Sequence, residues 1–229
     1  FCHQGRLRPH HGQFMSVHLH RGDLPADLSF PDGVAVDTET MGLRLRRDPL
    51  CVVQLSAGDG DAHVVQLDRS TYDAPNLKAL LASPAIVKIF HFGRFDLSMI
   101  QLHLGVLCAP VYCTKIASRL ARTYTDRHGL KDLTKEVLGV DLKKEQQSSD
   151  WGADSLSEAQ LAYAASDVLH LHDLRKKLNI MLEREGRLKL AEACFEFLPH
   201  RAALHKYKPA YLVVSDELSD VFFIVLLCA

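Results

Sequence analysis

The chain has 229 residues, of which 47% are hydrophobic and 24% charged. That is enough for one substantial core with a small appendage, and the charge content is that of an ordinary globular domain. The net charge of −1 excludes a global basic field, so a nucleic-acid partner would have to meet a locally basic face or bound cations.

Residues 1–14 are rich in His, Arg and Gly and show no periodicity. They read as an extension, with Met15 as a candidate start. His3, His10 and His11 in it read as a solvated tail rather than metal ligands. The expected division is therefore 1–20 as an N-terminal extension, 21–205 as the folded domain and 206–229 as a tail of unknown role. From Gly33 the signals sharpen. Residues 34–36 form a short apolar strand running into Asp37. Segments 51–55 and 63–67 are β-branched strands bounded by Asp, Gly and Pro. Asp59-Gly60 between them is a turn signal, so an antiparallel meander is predicted. A short helix at 76–81, a strand at 85–90, a helix at 95–104 and a strand near 106–111 follow. Helices then dominate to about residue 198. Three strands followed by alternating elements predict an α/β fold, a mixed sheet flanked by helices with a helical C-terminal half.

The six cysteines are scattered, without a Cys-x-x-Cys pair. They read as small hydrophobes of a reducing compartment. No charged-then-apolar leader opens the chain, and the apolar run from Val221 to Ala229 is too short to cross a bilayer. A cytoplasmic protein without a membrane contact is expected, as a monomer or weak homodimer.

Three acidic elements stand out. Asp37-Thr38-Glu39 ends an apolar strand, and alternation puts Asp37 and Glu39 on one face. Two such acids repel unless a cation or proton lies between them. His91-Phe-Gly-Arg-Phe-Asp96 follows the next strand, with Asp96 in the first turn of a helix, where its dipole favours an acid. Tyr163-Ala-Ala-Ser-Asp167 lies inside a late helix opened by a capping box at Ser157 and Gln160. Spacing of four puts Tyr163 and Asp167 on one face. Each element alone has a plain structural reading; a Tyr–Asp hydrogen bond would suffice for the third.

Together the elements resemble the DEDDy branch of the DnaQ-like 3′→5′ exonucleases, which have a ribonuclease H-like fold. The neighbouring branch carries His where Ala162 stands here. Within the branch the chain is similar to ribonuclease D. The similarity includes Leu50-Cys-Val-Val-Gln-Leu55, Cys113-Thr-Lys-Ile-Ala117, the stretch from Gly129 to Gly139, and Lys144 to Trp151, and covers roughly residues 22–204. Relatives often have Asp in place of Cys113 and Asn in place of Phe92. The long bacterial enzymes also carry helical HRDC domains, for which this chain has no room.

The resemblance implies a two-metal-ion 3′→5′ exoribonuclease that trims RNA 3′ ends, tRNA or other structured RNA among them. Asp37, Glu39, Asp96 and Asp167 would hold two Mg²⁺ or Mn²⁺ ions, and Tyr163 would orient the attacking water. Backbone near Thr40 and Met41 would meet the terminal 3′-hydroxyl, and Leu43 would wedge against the last base or simply join the core. His91 and Phe92 of the second motif are the further substrate-contacting positions. Lys115, Arg119 and Arg122 fall at i, i+4 and i+7 and would either track phosphates or form a solvated basic face. Trp151 would stack on a base or pack at the helix entry. The rival readings are a DNA 3′→5′ exonuclease on the same fold, a catalytically silent nucleic-acid-binding module, and a scaffold.

Overall fold

A computed structural model describes residues 4–7, 15–142 and 149–204. The tail from Lys206, the histidines His3, His10 and His11, and the segment 143–148 lie outside the described residues.

The predicted meander is the centre of the sheet. β3 (Val34–Thr40), β4 (Leu50–Ser56) and β5 (Asp61–Gln66) pair antiparallel in chain order. Every residue of β4 is buried, so the run is apolar on both faces rather than alternating. Gly60 makes the turn between β4 and β5 with φ +98°, a conformation a side chain would strain.

β6 (Lys88–Phe90) and β7 (Val111–Cys113) extend the sheet in parallel beyond β3. Both begin later than the apolar runs suggest. β3 starts only at Val34, so β6 has no ladder partner before Lys88; Val111 is in turn the first residue opposite Lys88.

The expected extension over residues 1–20 is corrected by β2 (Met15–Arg21), which pairs in parallel with β5 from Ser16↔Asp61 to Arg21↔Gln66. β1 (Gln4–Leu7) pairs antiparallel with it. Val17 and Leu19 alternate with Ser16, His18 and His20, and Val17 is buried. The period-two signal is therefore present, with histidines as the polar partners. Among the described residues the strand order is β1-β2-β5-β4-β3-β6-β7.

The helices are α1 (Pro75–Ala82), α2 (Arg94–His103), α3 (Thr114–Ala121), α4 (Leu130–Leu138), α5 (Glu158–Leu169), α6 (Leu171–Arg184) and α7 (Leu188–Ala203). α5 lies against β2, β3, β4 and β5. Its buried Ala164 and Ala165 keep the separation short. The predicted capping box starts it: Gln160 N donates to Ser157 Oγ at 3.2 Å, and Ser157 N donates to Gln160 Oε1 at 3.0 Å. Among the described residues no helix is long and apolar enough to cross a membrane.

Candidate active site

Asp37 and Glu39 leave the end of β3 toward α5, which brings Asp167 to meet them. Each of the three offers an oxygen, and these oxygens lie within 4.8 Å of one another. Asp96 reaches the same place from α2, which packs against β3 and β4. Thr38 points to the opposite face from its two acidic neighbours, and its Oγ1 donates to Asp96 Oδ1 at 2.5 Å. The sequence names Thr38 only as the link between two same-facing acids, and that place is the signal for its role. The four carboxylates and Tyr163 line one cleft of about 1020 Å³.

Burial is the first influence on Asp37, Glu39 and Asp96. It pushes Asp37 well above the ordinary carboxylate range, with the charges of Asp96, Asp167 and Glu39 adding to it. Burial and then Asp167 and Asp96 push Glu39 up to about 9. Asp96 is raised to about 6 by burial, opposed by its hydrogen bond from Thr38. Tyr163 is held firmly as a neutral phenol by burial, by the nearby carboxylates and by its hydrogen bond with Asp167. No Lys or Arg among the described residues figures in the influences on Asp37 or Glu39. A hard divalent cation fits such an oxygen-only, uncompensated donor set.

Acids whose folded pKa is raised hold protons more tightly folded than unfolded. Stability is full below the unfolded value and falls as pH rises through the folded one. For Glu39 that window runs from 4.5 to about 9. A bound cation replaces the protons and cancels the loss. The rise in Tm on adding Mg²⁺ over chelator should therefore be larger at about pH 8.5 than at about pH 5.5, by about 4 °C or more, equivalent to 1–2 kcal/mol for a domain of this size. Equal rises at the two pH values would contradict it.

The proposed substrate residues divide. Thr40, Met41, Leu43, His91, Phe92, Lys115 and Trp151 line the cleft with the acids. Leu43 is 82% exposed, so it is not core. Its loop is pinned where Arg44 N donates to Asp48 Oδ2 at 2.9 Å, and a Cβ on Gly42 would meet Asp48 Oδ2 at 2.3 Å. His91 is bonded to Thr114 Oγ1 at 2.9 Å and lowered to about 3, chiefly by burial, so it stays neutral. Phe92 has φ +63°, a conformation Asn tolerates far better than Phe. Its ring lies under Lys115, whose Nζ is 3.6 Å from the centroid.

Trp151 takes the packing alternative, Arg122 departs from both of its expected roles, and Arg119 stands apart from the cleft lining. Trp151 is only 2% exposed and its ring sits 6.1 Å from that of Tyr163. It packs, and this burial leaves little of the ring to a base. Arg122 does not continue the basic face because α3 ends at Ala121 and Arg122 leaves helical geometry. It is fully buried, ion-paired to Glu136, and its Nη1 donates to Ser118 Oγ at 2.8 Å and Arg127 O at 3.0 Å. Arg119 lies near His128, outside the cleft lining. The basic residues that do line the cleft beside Lys115 are Arg94 and Lys131. Both stand in the acidic and family-like segments, where sequence alone does not mark them as cleft residues.

The sequence pattern of the 3′-5′ exonuclease family matches residues 24–183. The chain belongs to that family. All four carboxylates and Tyr163 fall inside the matched exonuclease region. The fold is similar to Brucella melitensis NrnC bound to pGG, with 54% identity, TM-score 0.83, and coverage of 90% of this chain and 98% of that one. The same protein with bound Mg²⁺ matches at 53% identity and TM-score 0.83, covering 90% of this chain and 99% of that one. Ribonuclease D of Acidiphilium cryptum is 39% identical over 155 residues, which is 68% of this exonuclease chain and 39% of the relative. The chain thus spans about two fifths of the length of that curated relative.

Proposed function

We propose that the chain is a two-metal-ion 3′→5′ exoribonuclease that releases nucleoside 5′-monophosphates from RNA 3′ ends, and that its preferred substrates are short 5′-phosphorylated RNAs of the pGG kind. The observation that carries the chemistry is the meeting of Asp37, Glu39 and Asp167 oxygens within 4.8 Å at the foot of a cleft. The substrate class is supported by the likeness to NrnC over nearly its full length. Trimming of longer structured RNA, including tRNA, is the second reading, favoured by the likeness to ribonuclease D. A cytoplasmic setting fits the buried free cysteines Cys51, Cys108, Cys113 and Cys194.

Two Mg²⁺ or Mn²⁺ ions, when bound, would offset the negative charge that develops on the attacking and leaving oxygens. Asp37, Glu39, Asp96 and Asp167 would hold them, with Glu39 and Asp167 serving the attacking side and Asp96 the leaving side. Thr38 fixes the rotamer of Asp96. Tyr163, kept neutral, has a hydroxyl with which to orient water beside Asp167. Thr40 and Met41 line the cleft beside Glu39, where the 3′-terminal nucleotide would lie, and Leu43 is exposed to wedge against its base. Phe92 and Lys115 offer a ring and a cation together, suited to a base and its phosphate. Breaking the phosphodiester leaves a 5′-monophosphate and a new 3′-hydroxyl on the shortened RNA.

The test is digestion of 5′-labelled pGG, a single-stranded RNA, a structured RNA with a 3′ tail, and matched DNA, each in Mg²⁺, Mn²⁺ and chelator. Metal-dependent hydrolysis with the highest kcat/KM on pGG is expected. Preference for the longer RNA would select the second reading. Preference for DNA would replace RNA as the substrate, and cleavage undiminished in chelator would remove the metal mechanism.

A further inference from the structure

Gln54 occupies the centre of β4 and is completely buried, yet neither its Nε2 nor its Oε1 has a partner among the described residues. A buried amide with both ends unpaired is rare and calls for an explanation, whether a catalytic role, stored strain, or a bound water or ion. The register places Gln54 directly opposite Asp37 on the antiparallel β3–β4 pair. Directly opposed residues share a face. That face is the one α5 covers, because Asp37 meets Asp167 there. On its other side Gln54 pairs with Val64, which has nothing polar to offer. Its same-face neighbour Ser56 already donates to Asp61 O at 2.7 Å and accepts from Gly58 N at 3.2 Å. Asp37 is therefore the polar group directly opposite Gln54 with acceptor capacity to spare, while Glu39 and the likewise unpaired Gln66 Oε1 lie diagonally from it.

We propose that Gln54 is a positioning residue for Asp37. Its Nε2 donates to the Asp37 carboxylate when that carboxylate holds a cation, fixing the oxygens that face the cleft. The inference rests on the two-metal reading above. It explains why an amide is retained in a strand otherwise built of apolar residues, Ser56 excepted. Groups that orient metal ligands from behind typically contribute 10–100-fold to metal affinity.

The test compares the full chain with Gln54→Leu and, in parallel, Asp37→Asn. Mn²⁺ binding is measured by calorimetry without substrate, and Tm is measured in chelator. Gln54→Leu should weaken Mn²⁺ binding about tenfold or more. Its Tm in chelator should equal or exceed wild type, since two unpaired polar atoms leave the core. A residue with only a structural role would lower that Tm and leave affinity alone. If Gln54→Leu does not fold, Gln54→Met, closer in shape, takes its place in the same measurements. Wild-type affinity within about twofold in the Gln54 variant, with binding lost in Asp37→Asn, would overturn the role of Gln54 alone. Undiminished binding in Asp37→Asn would overturn the metal reading and this inference with it.

Discussion

Asp37→Asn is expected to lower 3′→5′ cleavage by about a thousandfold or more, roughly 4 kcal/mol of transition-state stabilisation. Asn keeps the shape of the side chain and removes its charge. All three other carboxylates act on Asp37. Its oxygen lies within 4.8 Å of those of Glu39 and Asp167. A neutral amide there leaves any cation short of an anionic ligand. The fold should survive, because Asp37 sits in a strand held by both β4 and β6. In chelator at about pH 8 the variant should melt at or above the wild-type temperature, because a buried acid crowded by like charges has been removed. The Mg²⁺-dependent rise in Tm should shrink sharply. Single-turnover cleavage of 5′-labelled RNA and melting with and without Mg²⁺ measure both. A rate within about tenfold of wild type, some 1.4 kcal/mol, would show that the cluster is not the catalytic centre.

The acids were legible because each is tied to local geometry that sequence reports directly. Alternation on β3 joins Asp37 to Glu39, and helical spacing on α5 joins Tyr163 to Asp167. What joins the two pairs is packing of α5 on the sheet, which only the family resemblance could supply in advance. The meander was legible for the same reason, as apolar runs bounded by turn residues. β2 was missed because its polar positions are His18 and His20, which continue the histidine-rich look of the residues before it. Arg122 failed for a different reason. Its i+7 spacing is meaningful only while the helix lasts, and α3 stops one residue short of it. Trp151 could not be decided from its neighbours in sequence, since its burial against Tyr163 is a tertiary fact. Gln54 stands in a family-like segment, but nothing in the sequence marks it as a site residue. An amide in an apolar strand becomes informative only once the register shows Asp37 opposite.

Tyr163→Phe is expected to reduce the single-turnover rate by about a hundredfold while leaving metal binding intact. The substitution removes one hydroxyl and keeps the ring. Its packing against Trp151, 6.1 Å between ring centres, should persist. If the hydroxyl served only to bond Asp167, its loss would cost about 1 kcal/mol of stability and leave turnover near wild type. The electrostatics argue for more. The phenol is pushed far above its ordinary range by burial and by Asp167, Glu39 and Asp37, so it cannot act as a base. It remains a neutral group able to donate and accept hydrogen bonds at the edge of the carboxylate cluster. That is what placing a water for in-line attack requires, and proton removal is left to the carboxylate side of the site. The pH dependence of the rate should therefore keep its shape in the variant and fall uniformly, since the group removed does not titrate in the working range. Mn²⁺ affinity should match wild type because all four carboxylates are untouched. A rate within about twofold of wild type, far short of the contribution of a water-orienting group, would take Tyr163 out of the chemistry and leave it as a packing partner of Trp151.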